Sequence, residues 1–308
     1  FYGRGAGKMP TASAVLGDII DEVKSNGTVP AQTWETSSNT DFIANIDTFV
    51  APRMFRTSTC AADVAKQAAG QVGLISGGGS GHEPAHAGFV GDGMLSAAIA
   101  GAVFTSPTPD QILEAIKEAD QGAGVFMVVK NYSGDIMNFE MAQELAEMEG
   151  IEVASVVVDD DIAVENSLYT QGRRGVAGTI FVHKILGHAA REGKSLAEIK
   201  DLADKIVPNI HTIGLALSGA TVPEVGKPGF VLAEDEIEYG IGIHGEPGYR
   251  KESMQPSRQL AEELTGKLLE AFEAKAGERY ALLINGMGAT PLMEQYVFAN
   301  DVASILGE

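Results

Sequence analysis

One cysteine, Cys60, is all that the chain has in 308 residues. A lone thiol closes no intrachain disulfide, so the expected compartment is reducing and the expected location cytoplasmic. Basic residues are scarce as well: 22 Lys and Arg stand against 42 Asp and Glu, a formal net charge of −20. Such an excess repels phosphate backbones and anionic lipid surfaces, which argues against nucleic acid and membranes as partners. No apolar run approaches the ~20 residues of a membrane-spanning helix. A G-x-x-x-x-G-K-[ST] loop is also missing, because Gly7-Lys8 runs into Met9, and no nucleotide is expected on this chain. The opening Phe1-Tyr2-Gly3-Arg4-Gly5 has neither an initiator Met nor the basic-then-apolar order of a signal peptide.

What is abundant is glycine, 37 residues, and its densest use is Ser76-Gly77-Gly78-Gly79-Ser80-Gly81-His82-Glu83-Pro84. The apolar residues before it read as the end of a buried strand, and Ser80 and Pro84 suggest a helix start close behind. A strand–glycine turn–helix puts its tip at the carboxyl edge of an α/β sheet, where such folds bind ligands. His82 stands at that tip, as a surface histidine or as a functional one. Residues 61–69 read as a short alanine-rich helix, and 71–75, 124–130 and 151–158 as apolar strands. Residues 111–119, 137–148, 178–191, 259–274 and 292–306 read as helices, with a turn and helix start over Thr105-Ser106-Pro107-Thr108-Pro109-Asp110. Residues 211–217, 236–244 and 280–284 read as further strands. The expected fold class is α/β, with two α/β domains whose largely parallel or mixed sheets are covered by helices. Their expected extents are 51–206 and 207–308, behind an atypical N-terminal segment and linker over 1–50.

Two more strands end in polar turns, Lys130-Asn131-Tyr132-Ser133-Gly134-Asp135 and His244-Gly245-Glu246. A lysine at the end of an apolar strand is either a desolvated cation able to hold an oxygen or a snorkelling surface residue. Asp135 could cap the next helix or act as acid or base. His244 lies between glycines, so its ring is uncrowded. Two such histidines with an Asp and a Lys suit acid–base or covalent chemistry on a small polar molecule. His82-Glu83-Pro84-Ala85-His86 satisfies the zinc signature H-E-x-x-H on paper, but Pro84 and the glycine turn deny it the regular helix it needs, and no metal is expected. Asp159-Asp160-Asp161 reads as a solvated turn paired with Arg173-Arg174 rather than as a magnesium site.

These motifs, with Phe104-Thr105-Ser106-Pro107-Thr108-Pro109, Gly172-Arg173-Arg174-Gly175 and Gly242-Ile243-His244-Gly245-Glu246-Pro247-Gly248, resemble in order the dihydroxyacetone kinase family. The resemblance is to its dihydroxyacetone-binding K subunit and runs over residues 71–308. It implies that His244 bonds through a ring nitrogen to the carbonyl carbon of dihydroxyacetone, forming a hemiaminal. It implies that Gly79, His82, Lys130 and Asp135 hold the substrate's oxygens, with Asp135 as base; the catalytic set is then His244, His82 and Asp135. It also implies a homodimer that works with a separate L subunit, which carries the nucleotide and magnesium and is recharged by the phosphotransferase system. A ketone-sensing transcriptional co-regulator is the alternative. Residues 1–21 resemble instead a short homoserine dehydrogenase fragment, and the family's usual start and last stretch are not found, so a fusion or a C-terminally shortened fragment is expected.

Overall fold

The computed structural model describes residues 53–56, 61–64, 69–167, 170–221, 226–288 and 290–307, the first two stretches as backbone only. Contacts divide the chain into a unit over 50–285 and 295–308 and another over 1–49 and 286–294. The first unit holds the architecture that follows. The segment resembling a dehydrogenase lies outside the described residues.

Its frame is a six-stranded sheet in the order β1-β2-β4-β3-β5-β6. The strands are β1 (Arg53–Arg56), β2 (Ala61–Val64), β3 (Gly73–Ser80), β4 (Ala97–Val103), β5 (Val125–Lys130) and β6 (Val153–Val158). β4, β3, β5 and β6 run parallel, whereas β1 and β2 add an antiparallel edge. Alternation along the central strands splits the core in two. Leu74, Phe126, Val128 and Val158 face one side, and Ile75, Met127 and Val129 face the other. A sheet buried on both faces needs such uninterrupted apolar runs. Helices α1 (Pro109–Ala119) and α2 (Ser133–Met148) supply Ile112, Ile116, Phe139 and Ala142 to the second side. Helices α3 (Thr179–Arg191) and α4 (Leu196–Ile206) supply Val182, Leu186 and Ile199 to the first. α1 begins with Pro109 behind a Thr108–Gln111 capping box and α4 with a Ser195–Glu198 box, each satisfying backbone donors that the first turn leaves open.

A smaller antiparallel sheet, β7 (Leu215–Ala216), β8 (Glu236–Tyr239) and β9 (Arg250–Ser253), packs Ile237 and Tyr239 against Leu260 and Leu264 of α5 (Ser257–Ala271) and Phe298 of α6 (Leu292–Gly307). The polypeptide between β6 and β7 is closed on itself by a bridge between Asp161 and Thr212, and Arg174 ties it to Gly240 at the end of β8.

Three expected elements differ. Residues 61–64 are a strand, not the start of a helix, because pairing with β1 and β4 overrides alanine's helical preference. No α-helix follows the glycine turn: residues 81–86 turn and lead only to a 3-10 turn at Ala87–Phe89, with Pro84 and the glycines breaking any regular ladder. Residues 280–284 carry no regular secondary structure and join no ladder among the described residues. Sequence reading also passed over β1, β4, β9 and α4.

Gly175 crosses the ends of β5 and β6 so closely that a Cβ there would overlap the Val158 carbonyl and lie 2.9 Å from Lys130 Cα. Gly175→Val is therefore expected to cost about 1–3 kcal/mol of stability in denaturant unfolding. Gly266 lies in α5 with open space around it, and Gly266→Ala is expected to add about 0.5–1 kcal/mol. Equal effects of the two would contradict the packing described.

Candidate active site at the carboxyl edge of the parallel strands

The carboxyl end of β3 is built on close backbone approach. A Cβ at Gly77 would lie 2.7 Å from the Ile99 carbonyl oxygen, and one at Gly79 would lie 2.5 Å from Thr105 N. The turn after β4 can therefore sit directly on β3. Phe104 in that turn adopts φ 50°, a left-handed conformation uncommon for a bulky residue. Its ring stacks 4.8 Å from that of His82. Gly81, at φ +105°, gives the reversal that leads into His82.

His82 meets His244 across the site, Nε2 to Nε2 at 3.1 Å. The His244 ring is held from its far side by Glu246: Oε1 faces Nδ1 at 3.0 Å, while Oε2 accepts from the His244 backbone N at 2.9 Å. Glu246 is only 2% exposed. Burial alone would raise its pKa, but the hydrogen bonds from His244 prevail and hold the carboxyl below its ordinary value. A carboxylate only accepts, so His244 carries its proton on Nδ1 and turns a lone pair outward on Nε2. The proton on the line between the rings is then that of His82. Burial, followed by the charge of Lys130 and by His244, lowers the pKa of His82 to about 3. Tyr132 closes a third side, edge-on to His244 with centroids 4.7 Å apart.

Lys130 ends β5 and is buried, and this burial lowers its pKa against the opposing pull of Asp135 and Asp160. Asp135 occupies the first turn of α2 rather than its cap. Burial raises its pKa against a Ser106 hydrogen bond and the charges of Lys130 and His244, and its Oδ1 is buried without a protein partner. An ionised Asp135 thus has one oxygen anchored and one buried without a partner. Gly79, His82, Lys130, Asp135 and His244 gather around this edge.

The acidic run behaves differently from the expected solvated turn. Asp161 pairs with Arg174 at 2.7 Å, both buried, and Arg174 Nη2 also donates to the Gly240 carbonyl at 2.6 Å. Asp160 is buried and accepts from the Val176 and Gly178 backbone amides. These bonds offset desolvation that exposed pairs never meet. The two histidines of H-E-x-x-H part company: His82 faces His244, while His86 is buried against Ser76 and His183. Among the described residues no group of three or more His, Cys, Asp or Glu is placed to hold a metal. Glu246, Tyr132 and Phe104 lay inside the quoted motifs without a role; a carboxylate two residues beyond a histidine was the available signal.

The Dak1 domain matches residues 50–308, and the chain belongs to that family. The membership read from six motifs thus stands. The chain is 72% identical over 239 residues, 78% of its length and 72% of the relative's, to the PTS-dependent dihydroxyacetone kinase, dihydroxyacetone-binding subunit DhaK, of Lactococcus lactis subsp. lactis (strain IL1403). It is 49% identical, over 76% of its length and 72% of the relative's, to the DhaKLM operon coactivator DhaQ of the same organism. Among solved structures it resembles the native dihydroxyacetone kinase of C. freundii with TM-score 0.76 and 33% identity, covering 98% of this chain and 51% of that one. It resembles the co-activator Dha-DhaQ with TM-score 0.75 and 46% identity, covering 80% and 76%. No described helix is long and apolar enough to cross a membrane.

Behind the site, His183 is buried with neither ring nitrogen paired, and its burial lowers its pKa from 6.5 to about 3. The unfolded chain therefore binds more protons below pH 6.5, and stability falls as pH drops through that window. His183→Leu is expected to reduce the slope of stability against pH, between about pH 4 and 6, by up to about 1.4 kcal/mol per unit. Urea titrations across that range check it; an unchanged slope would show that His183 takes up no extra proton on unfolding.

Proposed function

We propose that this chain is the substrate-binding subunit of a cytoplasmic dihydroxyacetone kinase, holding the ketone covalently on His244 for phosphorylation by a nucleotide-carrying partner. The observation that carries this reading is the His244 ring fixed by a buried carboxylate, with its free nitrogen facing a neutral His82. The Nε2 lone pair attacks the carbonyl carbon, the carbonyl π pair moves to oxygen, which takes a proton from solvent, and the ring passes its Nδ1 proton to Glu246. Every atom of the ketone is retained. The charge that develops on the ring is met by Glu246, already in place. His82 donates to a substrate oxygen, and Lys130 supplies a cation at the strand end. Glycerol has no carbonyl to attack, so the bond itself selects short ketones.

In this reading Asp135 takes the proton from the hydroxyl that is phosphorylated. Its unpaired Oδ1 suits that task, and the rigid tether supplies orientation worth up to ~7–11 kcal/mol of barrier. Nucleotide and magnesium belong to the separate L subunit, and the chain itself works as a homodimer. The likeness to DhaQ supports a second reading, a ketone sensor that forms the adduct without turnover.

Intact-protein mass measurement with dihydroxyacetone, beside a coupled assay with an L subunit and phosphoryl donor, tests both. The adduct and turnover are expected in the parent protein, and His244→Ala should lose both. His82→Ala should weaken both, and Asp135→Ala should cut turnover about 10²–10⁴-fold while sparing the adduct. Because the Asp135 carboxyl is raised and must be ionised to act, the acid limb of turnover should lie above the ordinary carboxylate range. Adduct formation should not share that limb. Adduct without turnover would leave the sensor, and attachment surviving His244→Ala would end the covalent assignment.

A further inference from the structure

Burial opposes the hydrogen bonds that hold Glu246 ionised, so a further positive charge close by would add to their effect. Nearby is a guanidinium that is itself fully buried. Arg174 gives Nε and Nη2 to Asp161 and Nη2 also to the Gly240 carbonyl. Its Nη1 is left buried without a hydrogen-bond partner. Gly242 shows where that nitrogen faces. A Cβ built on Gly242 would overlap the Glu246 carboxylate and lie 2.7 Å from Arg174 Nη1. The absent side chain is thus what leaves the guanidinium open to the carboxylate. Gly242 is outside the positive-φ glycines, so it is required for this approach and not for backbone shape.

We propose that Arg174 is a positioning residue for His244, acting through Glu246. Anchored by Asp161, the guanidinium keeps Glu246 ionised and aimed, and an ionised Glu246 in turn demands the proton on His244 Nδ1. Without that cation only the loop's own hydrogen bonds oppose burial, the carboxyl is more readily protonated and able to donate, and either ring nitrogen can then carry the hydrogen. The nucleophilic lone pair on Nε2 is no longer assured. The alternative is that Arg174 only staples the loop at Gly240 to Asp161, with no say in the tautomer.

The inference rests on the covalent reading for its kinetic part alone, because the tautomer is measured without substrate. Long-range nitrogen–proton NMR on histidine-labelled protein reports which ring nitrogen of His244 is protonated. The parent protein is expected to hold one tautomer, with the hydrogen on Nδ1. Arg174→Lys keeps a cation to pair with Asp161 but has no second arm; it is expected to give a mixture of tautomers and to slow adduct formation about 10- to 100-fold, the loss expected for an interaction with a charged group. Arg174→Met should do more, and if it fails to fold the lysine variant decides. In a double-mutant cycle with Glu246→Gln, the Arg174→Lys effect on the tautomer should largely vanish. An unchanged tautomer in folded Arg174→Lys, or effects that simply add, would overturn the proposal. Absence of any adduct in the parent protein would remove the covalent reading while leaving the tautomer result to stand or fall separately.

Discussion

A buried carboxylate governs the site. Glu246 is removed from water yet accepts two hydrogen bonds from His244. In so small a loop those bonds allow one ring orientation and one tautomer. The rest of the edge follows from that ring. Its free nitrogen meets a histidine whose burial keeps it neutral, so the two rings share one proton without charge repulsion. Phe104 and Tyr132 pack edge-on to it and shield part of it from water. Lys130 and Asp135 add a cation and an anion whose burial pushes each toward its neutral form, while their mutual attraction opposes the push.

The backbone makes this arrangement possible at the points where side chains are missing. Gly79 lets the turn after β4 press on the end of β3, Gly175 lets the chain after β6 cross Lys130, and Gly242 lets Glu246 and Arg174 share one volume. Such approaches bring distant segments to one edge of a parallel sheet, where folds of this kind bind ligands. The cost is that each position tolerates no larger residue.

Much of this was legible in the amino-acid order. The apolar strands β5 and β6 were readable to within about two residues, as were the helices α1 and α3, punctuated by Pro109, Gly178 and Gly193; β3 was found, but it runs through the glycines to Ser80, five residues past the expected end. His82 and His244 were marked by the glycines that flank them. What escaped was set by tertiary contact. Residues 61–64 carry helix-favouring alanine, yet a vacant sheet edge beside β4 recruits them. Arg174 and Asp161 looked like a surface pair because charge alone does not reveal burial, and only the fold surrounds them. The partnership of Glu246 with His244 spans two residues, but whether such a carboxylate turns toward its neighbour depends on the loop's path.

The central claim is that His244 Nε2 is a neutral nucleophile poised for a carbonyl carbon. Carbon NMR of dihydroxyacetone labelled at C2, bound to protein with nitrogen-labelled histidine, addresses it most directly. The expected result is a bound carbon that has become tetrahedral and shows one-bond coupling to a single imidazole nitrogen, lost in His244→Ala. A bound ketone that keeps its trigonal carbonyl, or couples to no histidine nitrogen, would contradict it.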